Sequence, residues 1–164
     1  MTRLLGIDLG VRRIGLAIAD GDGSRARPLQ TIRRGPTLAD DAAAIGRLAR
    51  ENEIGELILG LPLEMAGHPG TMAESTRQWA AAISPLVDLP VIFRDERLTS
   101  HLAEQRLGPM KRGRSGGPPT PTQRDAYRAR VDREAAAIIL QDELDSRAAA
   151  RQADARRDDT EASR

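Results

Sequence analysis

The sequence predicts a single α/β domain, and three observations lead to that prediction. Three short apolar segments within the first 32 residues are separated by brief turns, which predicts an antiparallel meander of strands. Two further apolar strands, at residues 57–61 and 91–93, alternate with segments whose apolar residues recur at helical spacing. The strand at 57–61 is almost continuously apolar, as in a sheet covered on both faces. The sequence therefore predicts a five-stranded mixed sheet with helices on both faces.

Asp8 is an unusual residue in the first strand–turn–strand, which spans residues 3–20. An apolar run precedes it, and Gly10 follows it with the freedom needed for a tight turn. A carboxylate at the end of a buried strand is either a ligand for a hard cation such as Mg²⁺ or Mn²⁺, or an aspartate that caps a turn. This stretch alone leaves both interpretations open.

Capping patterns predict where the first two helices begin. Thr37 opens the first helix, with Asp40 in the position of a capping box. Thr71 and Glu74 form a second pair of the same kind, which predicts the start of the second helix.

Other signals predict the remaining helix boundaries. Pro85 and Pro90 are expected to bound the second helix, because proline interrupts helical hydrogen bonding. Thr99 or Ser100 can cap a third helix. Apolar spacing predicts a last helix over about residues 127–144.

Two more acids occupy places where apolar residues would be expected. Glu96 lies in a run of four charged residues directly after the fifth strand, with Asp95 as a reserve candidate. Asp132 aligns with the apolar face of the last helix and should face the sheet. If the first strand is central, both converge with Asp8, and three such carboxylates need a cation. Two Mg²⁺ ions roughly 3.5–4 Å apart would then activate water for phosphodiester hydrolysis.

The charge distribution suggests an anionic partner, although the net charge is only +1. Residues 105–131 hold seven basic side chains and one acid, as a protein that contacts a phosphate backbone would require. An exposed arginine is nevertheless more often ordinary solvated surface. Aromatic residues make up 2% of the chain, so base-stacking platforms are scarce. The candidate phosphate contacts are Arg13, Arg97, Lys111, Arg112 and Arg114.

Composition also predicts location and domain boundaries. The chain has no cysteine and no long apolar run, which favours a cytoplasmic protein with no membrane association. Residues 1–144 are expected to form the folded domain. Residues 145–164 hold small and charged side chains, which predicts a frayed helix or a disordered tail.

Several motifs together resemble the YqgF/RuvX family, whose members are described as pre-16S rRNA nucleases and as Holliday junction resolvases. Any one motif is common, but the set is specific and covers roughly residues 3–144. The matching segments are GIDLG at 6–10, RIGLA at 13–17, GLPL at 60–63 with Gly67, DERLT at 95–99, and VD at 131–132 running into AAAIILQ at 135–141.

The resemblance implies a ribonuclease H-like fold and a metal-dependent nuclease, a hydrolase of phosphodiester bonds. It implies a cytoplasmic role in ribosome biogenesis, trimming the 5′ end of pre-16S rRNA with one or two Mg²⁺ or Mn²⁺ ions. The matching catalytic and metal-binding residues are Asp8, Glu96 and Asp132. The segment at 108–130 is longer and richer in proline than the family pattern, and the tail after Leu144 has no counterpart in it.

Three alternatives remain open from the sequence. A Holliday junction resolvase acting on branched DNA would need a symmetric dimer, whereas an RNA nuclease could act as a monomer. A non-catalytic factor could bind RNA or ribosomal precursor particles without cutting. An actin-like phosphotransferase is disfavoured, because the chain holds only one phosphate-binding type of hairpin and no second domain.

Overall fold

The computed structural model describes residues 2–62, 70–96, 99–113 and 115–162. Within them five strands form one sheet in the order β3-β2-β1-β4-β5. The first three strands are antiparallel neighbours, while β4 runs parallel to β1 and β5 parallel to β4. The predicted mixed sheet and meander are therefore confirmed. The strands are β1 (Arg3–Leu9), β2 (Arg13–Asp20), β3 (Arg27–Arg33), β4 (Ile54–Leu61) and β5 (Val91–Asp95).

Helices cover both faces of the sheet, as predicted. One apolar cluster joins the sheet to α1 and α2, a second joins its other face to α4, and α3 packs against α4. The described helices are α1 (Leu38–Glu51), α2 (Thr71–Val87), α3 (Thr99–Leu107) and α4 (Pro121–Ala162).

The helix boundaries of α1 and α2 confirm one prediction and correct two. Thr37 caps α1 in a reciprocal capping box with Asp40. The capping box predicted at Thr71 is wrong, because Gly70 is the N-cap of α2 and Thr71 is already helical. Pro85 was expected to bound this helix but lies inside it, in the last turn, where it removes only one amide donor.

Helix α4 is longer at both ends than the predicted 127–144. It begins at Pro121 because Thr120 and Gln123 form a capping box, with bonds of 2.8 and 3.2 Å, and proline suits the first helical position. It continues through mostly exposed residues to Ala162. In the described ranges, no helix has the length and apolar character needed to cross a membrane.

Two glycines allow α4 to lie directly on the sheet. A Cβ at Gly6 in β1 would lie 2.8 Å from the carbonyl oxygen of Ala136, and a Cβ at Gly15 in β2 would overlap the backbone of Asp132. Any larger side chain at these positions would push the helix away. This close contact sets the height at which Asp132 stands above the strands.

Candidate active site

The carboxyl groups of Asp8 and Glu96 meet at the carboxyl ends of β1 and β5, two parallel strands on either side of β4. Asp8 lies near the end of β1, pairs with Gly15 across the β1–β2 ladder and is 9% exposed. Glu96 directly follows β5, where its backbone N–H donates to the carbonyl oxygen of Leu61 at 3.0 Å. The two side chains are hydrogen bonded to each other. The convergence expected from the sequence therefore occurs for this pair.

The Asp8–Glu96 pair is electrostatically strained at neutral pH. Burial, repulsion by Asp8, the hydrogen bond to Asp8 and repulsion by Asp132 raise the pKa of Glu96 to about 10. Burial also raises the pKa of Asp8, with a smaller contribution from Asp132, while the hydrogen bond from Glu96 opposes the shift. Glu96 therefore keeps a proton and donates it to Asp8. Buried acids that repel each other in this way are typical of functional sites.

Asp132 is near enough to repel both acids, but its carboxylate is paired with the guanidinium group of Arg13. The Nε of Arg13 donates to Oδ2 of Asp132 at 2.6 Å. In the part of the chain that the structure describes, no three acidic or histidine side chains form a ready metal-binding cluster. Asp132 would therefore have to move closer to Asp8 and Glu96 to join them around one ion.

The chemistry of these donors fits a hard divalent cation. Asp8, Glu96 and Asp132 offer carboxylate oxygens, the ligand type that Mg²⁺ and Mn²⁺ prefer. A cation between Asp8 and Glu96 would replace their shared proton and offset the burial and the negative charge that raise both pKa values. Asp95, the reserve candidate, ends β5 with an exposed side chain.

Gly60 makes room for the Glu96 carboxyl group. A Cβ at this position in β4 would lie 2.8 Å from Oε2 of Glu96 and 2.5 Å from Cδ1 of Ile139. Sequence reading placed Gly60 at the start of a loop motif and missed this role. The signal was a glycine at the end of an otherwise apolar strand, which often marks close approach of another group.

The structure describes three of the five predicted phosphate contacts. Arg13 bonds Asp132, whereas Lys111 and Arg112 are exposed in the segment between α3 and α4. The other two, Arg97 and Arg114, lie outside the described residues.

Sequence reading missed a group of arginines beside Arg13. Arg12, Arg33 and Arg128 line one cavity with it, together with Val11 and Asp125. Arg128 was noticed only as part of the basic stretch, and Arg33 ends a strand far from that stretch in sequence. The β2–β3 pairing and the position of α4 bring them together.

The fold is of the ribonuclease H-like class, with its acids at the carboxyl ends of β1 and β5. The chain is similar to a solved structure described as "T. thermophilus RuvC in complex with Holliday junction substrate". The TM-score is 0.52 and the sequence identity 15%, over 91% of this chain and 97% of that one. At this identity the similarity establishes the fold. It confirms the fold class predicted from the sequence.

The chain belongs to the RuvX family. The family described as "RuvX: Holliday junction resolvase" matches residues 2–146. A relative from Anaeromyxobacter dehalogenans (strain 2CP-C) is 46% identical over 147 residues, covering 89% of this chain and 98% of the relative. One from Roseiflexus sp. (strain RS-1) is 41% identical over 144 residues, covering 88% and 94%. Both are named "Putative pre-16S rRNA nuclease". The family resemblance seen in the sequence is confirmed.

Proposed function

We propose that this protein is a nuclease that hydrolyses phosphodiester bonds with Asp8, Glu96 and Asp132 around one or two Mg²⁺ or Mn²⁺ ions. The observation that carries the proposal is the buried, hydrogen-bonded Asp8–Glu96 pair. It lies at the sheet edge where parallel strands end, in a chain whose relatives are named as nucleases.

Each side chain has a defined part in this proposal. The bound ion would supply an activated water and neutralise charge on the phosphate. When the ion binds, Glu96 would release to solvent the proton that it donates to Asp8, and both side chains would then be anionic ligands. Asp132 would exchange its bond to Arg13 for the ion, and the guanidinium of Arg13 could then bind a phosphate oxygen. Arg13 therefore holds Asp132 in place before the substrate arrives.

The proposed substrate is the 5′ end of pre-16S rRNA, in the cytoplasm and on ribosomal precursor particles. The names of the relatives support RNA as the substrate. Branched DNA is the second candidate, because the family description names Holliday junction resolution. A resolvase would act as a homodimer, whereas an RNA nuclease could act as a monomer. A non-catalytic assembly factor would keep the fold and bind nucleic acid without cutting.

Cleavage by the purified protein tests the proposal. The substrates are a single-stranded rRNA-precursor fragment and a four-way DNA junction, each incubated with Mg²⁺, Mn²⁺ or EDTA. We expect metal-dependent cutting by the wild type and by Asp142→Asn, a control that removes an exposed carboxylate paired with Arg94. We expect no cutting by Asp8→Asn.

The pattern of cleavage separates the candidate functions. Cutting of RNA alone supports rRNA processing, and symmetric cutting of the junction supports a resolvase. Equal activity of Asp8→Asn and wild type would contradict the proposed site. Binding of RNA without any cutting would favour the assembly factor.

A further inference from the structure

A cleft lined by arginines adjoins the candidate active site. Its volume is about 660 Å³, and it lies between the β1–β2 turn, the end of β3 and the first turns of α4. Four basic residues and one acid contribute its polar lining: Arg12, Arg13, Arg33, Arg128 and Asp125.

The positive charge in this cleft is incompletely neutralised. Asp125 is its only lining acid among the described residues, 3.7 Å from Nη1 of Arg13 and 3.6 Å from Nη2 of Arg33. The side chains of Arg33 and Asp125 are 87% and 58% exposed, so their attraction is weakened by water. Single exposed arginines usually extend into solvent. Four around one cavity repel one another and favour an anion between them.

Arg13 connects the cleft to the acids. Its Nε donates to Asp132 at 2.6 Å, while its Nη1 faces Asp125 on the cleft side. Asp125 and Asp132 are two turns apart on α4, a distance of about 10 Å along the helix axis. A chain of phosphates that reaches the acids can therefore continue into the cleft.

We propose that the arginine cleft binds the phosphodiester backbone of a nucleic acid strand next to the bond that the acids cleave. Arg33 and Arg128 are its exposed phosphate contacts, since guanidinium groups bind phosphate oxygens in pairs of hydrogen bonds. Such contacts position a strand without reading its sequence. This inference rests on the proposed function for the identity of the ligand.

Binding measured in EDTA tests the cleft without cleavage. The probes are a fluorescein-labelled single-stranded RNA and a labelled four-way DNA junction, followed by fluorescence anisotropy across a salt series. For whichever probe binds, we expect Arg33→Ala/Arg128→Ala to bind about tenfold more weakly. The slope of log K against log salt should fall by about 1.4 for the single strand, since each lost contact contributes about 0.7.

The tail of α4 offers a matched control. Arg151→Ala/Arg156→Ala removes the same charge from exposed positions, with Arg151 about 35 Å along the helix from Arg128. We expect this variant to keep the affinity and salt slope of the wild type. Equal weakening by both double variants would overturn the proposal, because only the net charge would then matter.

A second variant tests the cleft in the opposite direction. Asp125→Asn removes the acid that competes with phosphate for Arg13 and Arg33, so we expect tighter binding by about threefold or more. Asp154→Asn, an exposed acid in the tail, should leave affinity unchanged. No tightening by Asp125→Asn would count against the cleft.

Failure of the cleft and failure of the proposed function give different results. Suppose that the wild type cuts RNA or the junction, but the Arg33→Ala/Arg128→Ala variant binds like the tail control. The proposed role of the cleft is then contradicted, and the proposed nuclease activity is supported. If the wild type binds through the cleft but does not cut, the proposed nuclease activity is contradicted and the proposal that the cleft binds nucleic acid is supported. If the wild type binds neither probe, the cleft proposal is overturned.

Discussion

Two buried aspartates, Asp8 and Asp41, lie on the same framework in opposite electrostatic surroundings. Asp41 in α1 is 1% exposed and accepts three hydrogen bonds. The donors are Nε of Arg34 at 3.1 Å, the backbone N–H of Gly35 at 2.8 Å and Nε1 of Trp79 at 3.0 Å. This carboxylate is fully partnered and fastens the start of α1 to α2 and to the end of β3.

Asp8 has the opposite kind of neighbour. Its hydrogen-bond partner is the acid Glu96, and Asp132 adds further repulsion. Burial without a compensating cation costs folding free energy, so a buried acid pair of this kind weakens the metal-free protein. The comparison shows that burial alone does not mark a functional acid. The charge of the partner distinguishes Asp41, which stabilises the fold, from Asp8, for which we propose a metal-binding role.

The largest expected effect separates the two aspartates by activity. Asp8→Asn should lower nuclease activity about a thousandfold or more, because the amide cannot replace an anionic ligand. Asp41→Asn preserves the shape of the side chain, and position 41 is not part of the Asp8–Glu96 pair. This variant should therefore retain activity near the wild-type level. Initial rates at saturating metal, measured on folded protein, check both. Comparable loss in the two variants would break the distinction.

For stability we expect the opposite result: loss of the Asp41 carboxylate should destabilise the fold, whereas loss of the Asp8 charge should not. Asp41→Ala leaves the N–H groups of Trp79 and Gly35 without their acceptor and Arg34 without its counterion, so we expect a loss of about 3 kcal/mol. Urea unfolding of the metal-free protein measures this loss. A change below about 0.5 kcal/mol would show that Asp41 is not a structural anchor.

Gly60→Ala sharpens the comparison by moving Glu96 without changing any charge. The added methyl group would press against Oε2 of Glu96 and displace it from Asp8, so activity should fall about tenfold or more. Gly46→Ala in α1 is the matched control, because its nearest neighbours would be 3.4 and 3.6 Å away. It should gain about 0.5–1 kcal/mol in stability and keep its activity. Equal rates in both variants would contradict the placement of Glu96.

The last prediction concerns the dependence of stability on pH. The pKa of Glu96 is about 10 in the folded protein and has an ordinary value of 4.5, so between these values the folded state holds a proton that the unfolded chain has released. The free energy of unfolding of metal-free protein should therefore fall as pH rises from 5 to 9, and the Glu96 proton contributes at most about 1.4 kcal/mol per pH unit to this fall.

Asp8→Asn supplies the control for this pH dependence. It removes the charge that repels Glu96, so the decline in stability should become shallower and the variant should be more stable than wild type at pH 8. Urea unfolding at several pH values in EDTA measures both effects. A wild-type stability that rises over the same range would contradict the shared proton.

The three acids of the proposed site could be singled out in the sequence because each departs from a strong local pattern. Asp8 interrupts an apolar strand, Glu96 follows one, and Asp132 falls on an apolar helix face. The bond between Arg13 and Asp132 could not be predicted, since it joins residues 119 positions apart and depends on how closely α4 packs on Gly15. Asp41 was overlooked because an acid in the first turn of a helix is ordinary.

Other differences between the predicted and the observed structure concern the starts of α2 and α4 and the arginine cleft. The sequence Thr120-Pro-Thr-Gln123 holds both the capping box and the initial proline of α4, yet its proline-rich context predicted a loop. At α2, Thr71 and Glu74 matched a capping pattern that the backbone at Gly70 does not use. Arg33 and Arg128 become neighbours of one cleft only after β3 and α4 are placed.

The most direct test of the account is a calorimetric titration of Mn²⁺ into metal-free protein. Wild type and Asp142→Asn should bind with release of a proton, because the ion replaces the proton that Asp8 and Glu96 share. Proton release is measured by repeating the titration in buffers of different ionisation enthalpy, because the observed heat then changes with the buffer. Asp8→Asn should lose the binding. Binding of Mn²⁺ by Asp8→Asn with wild-type affinity and proton release would contradict the claim that this pair is the metal site.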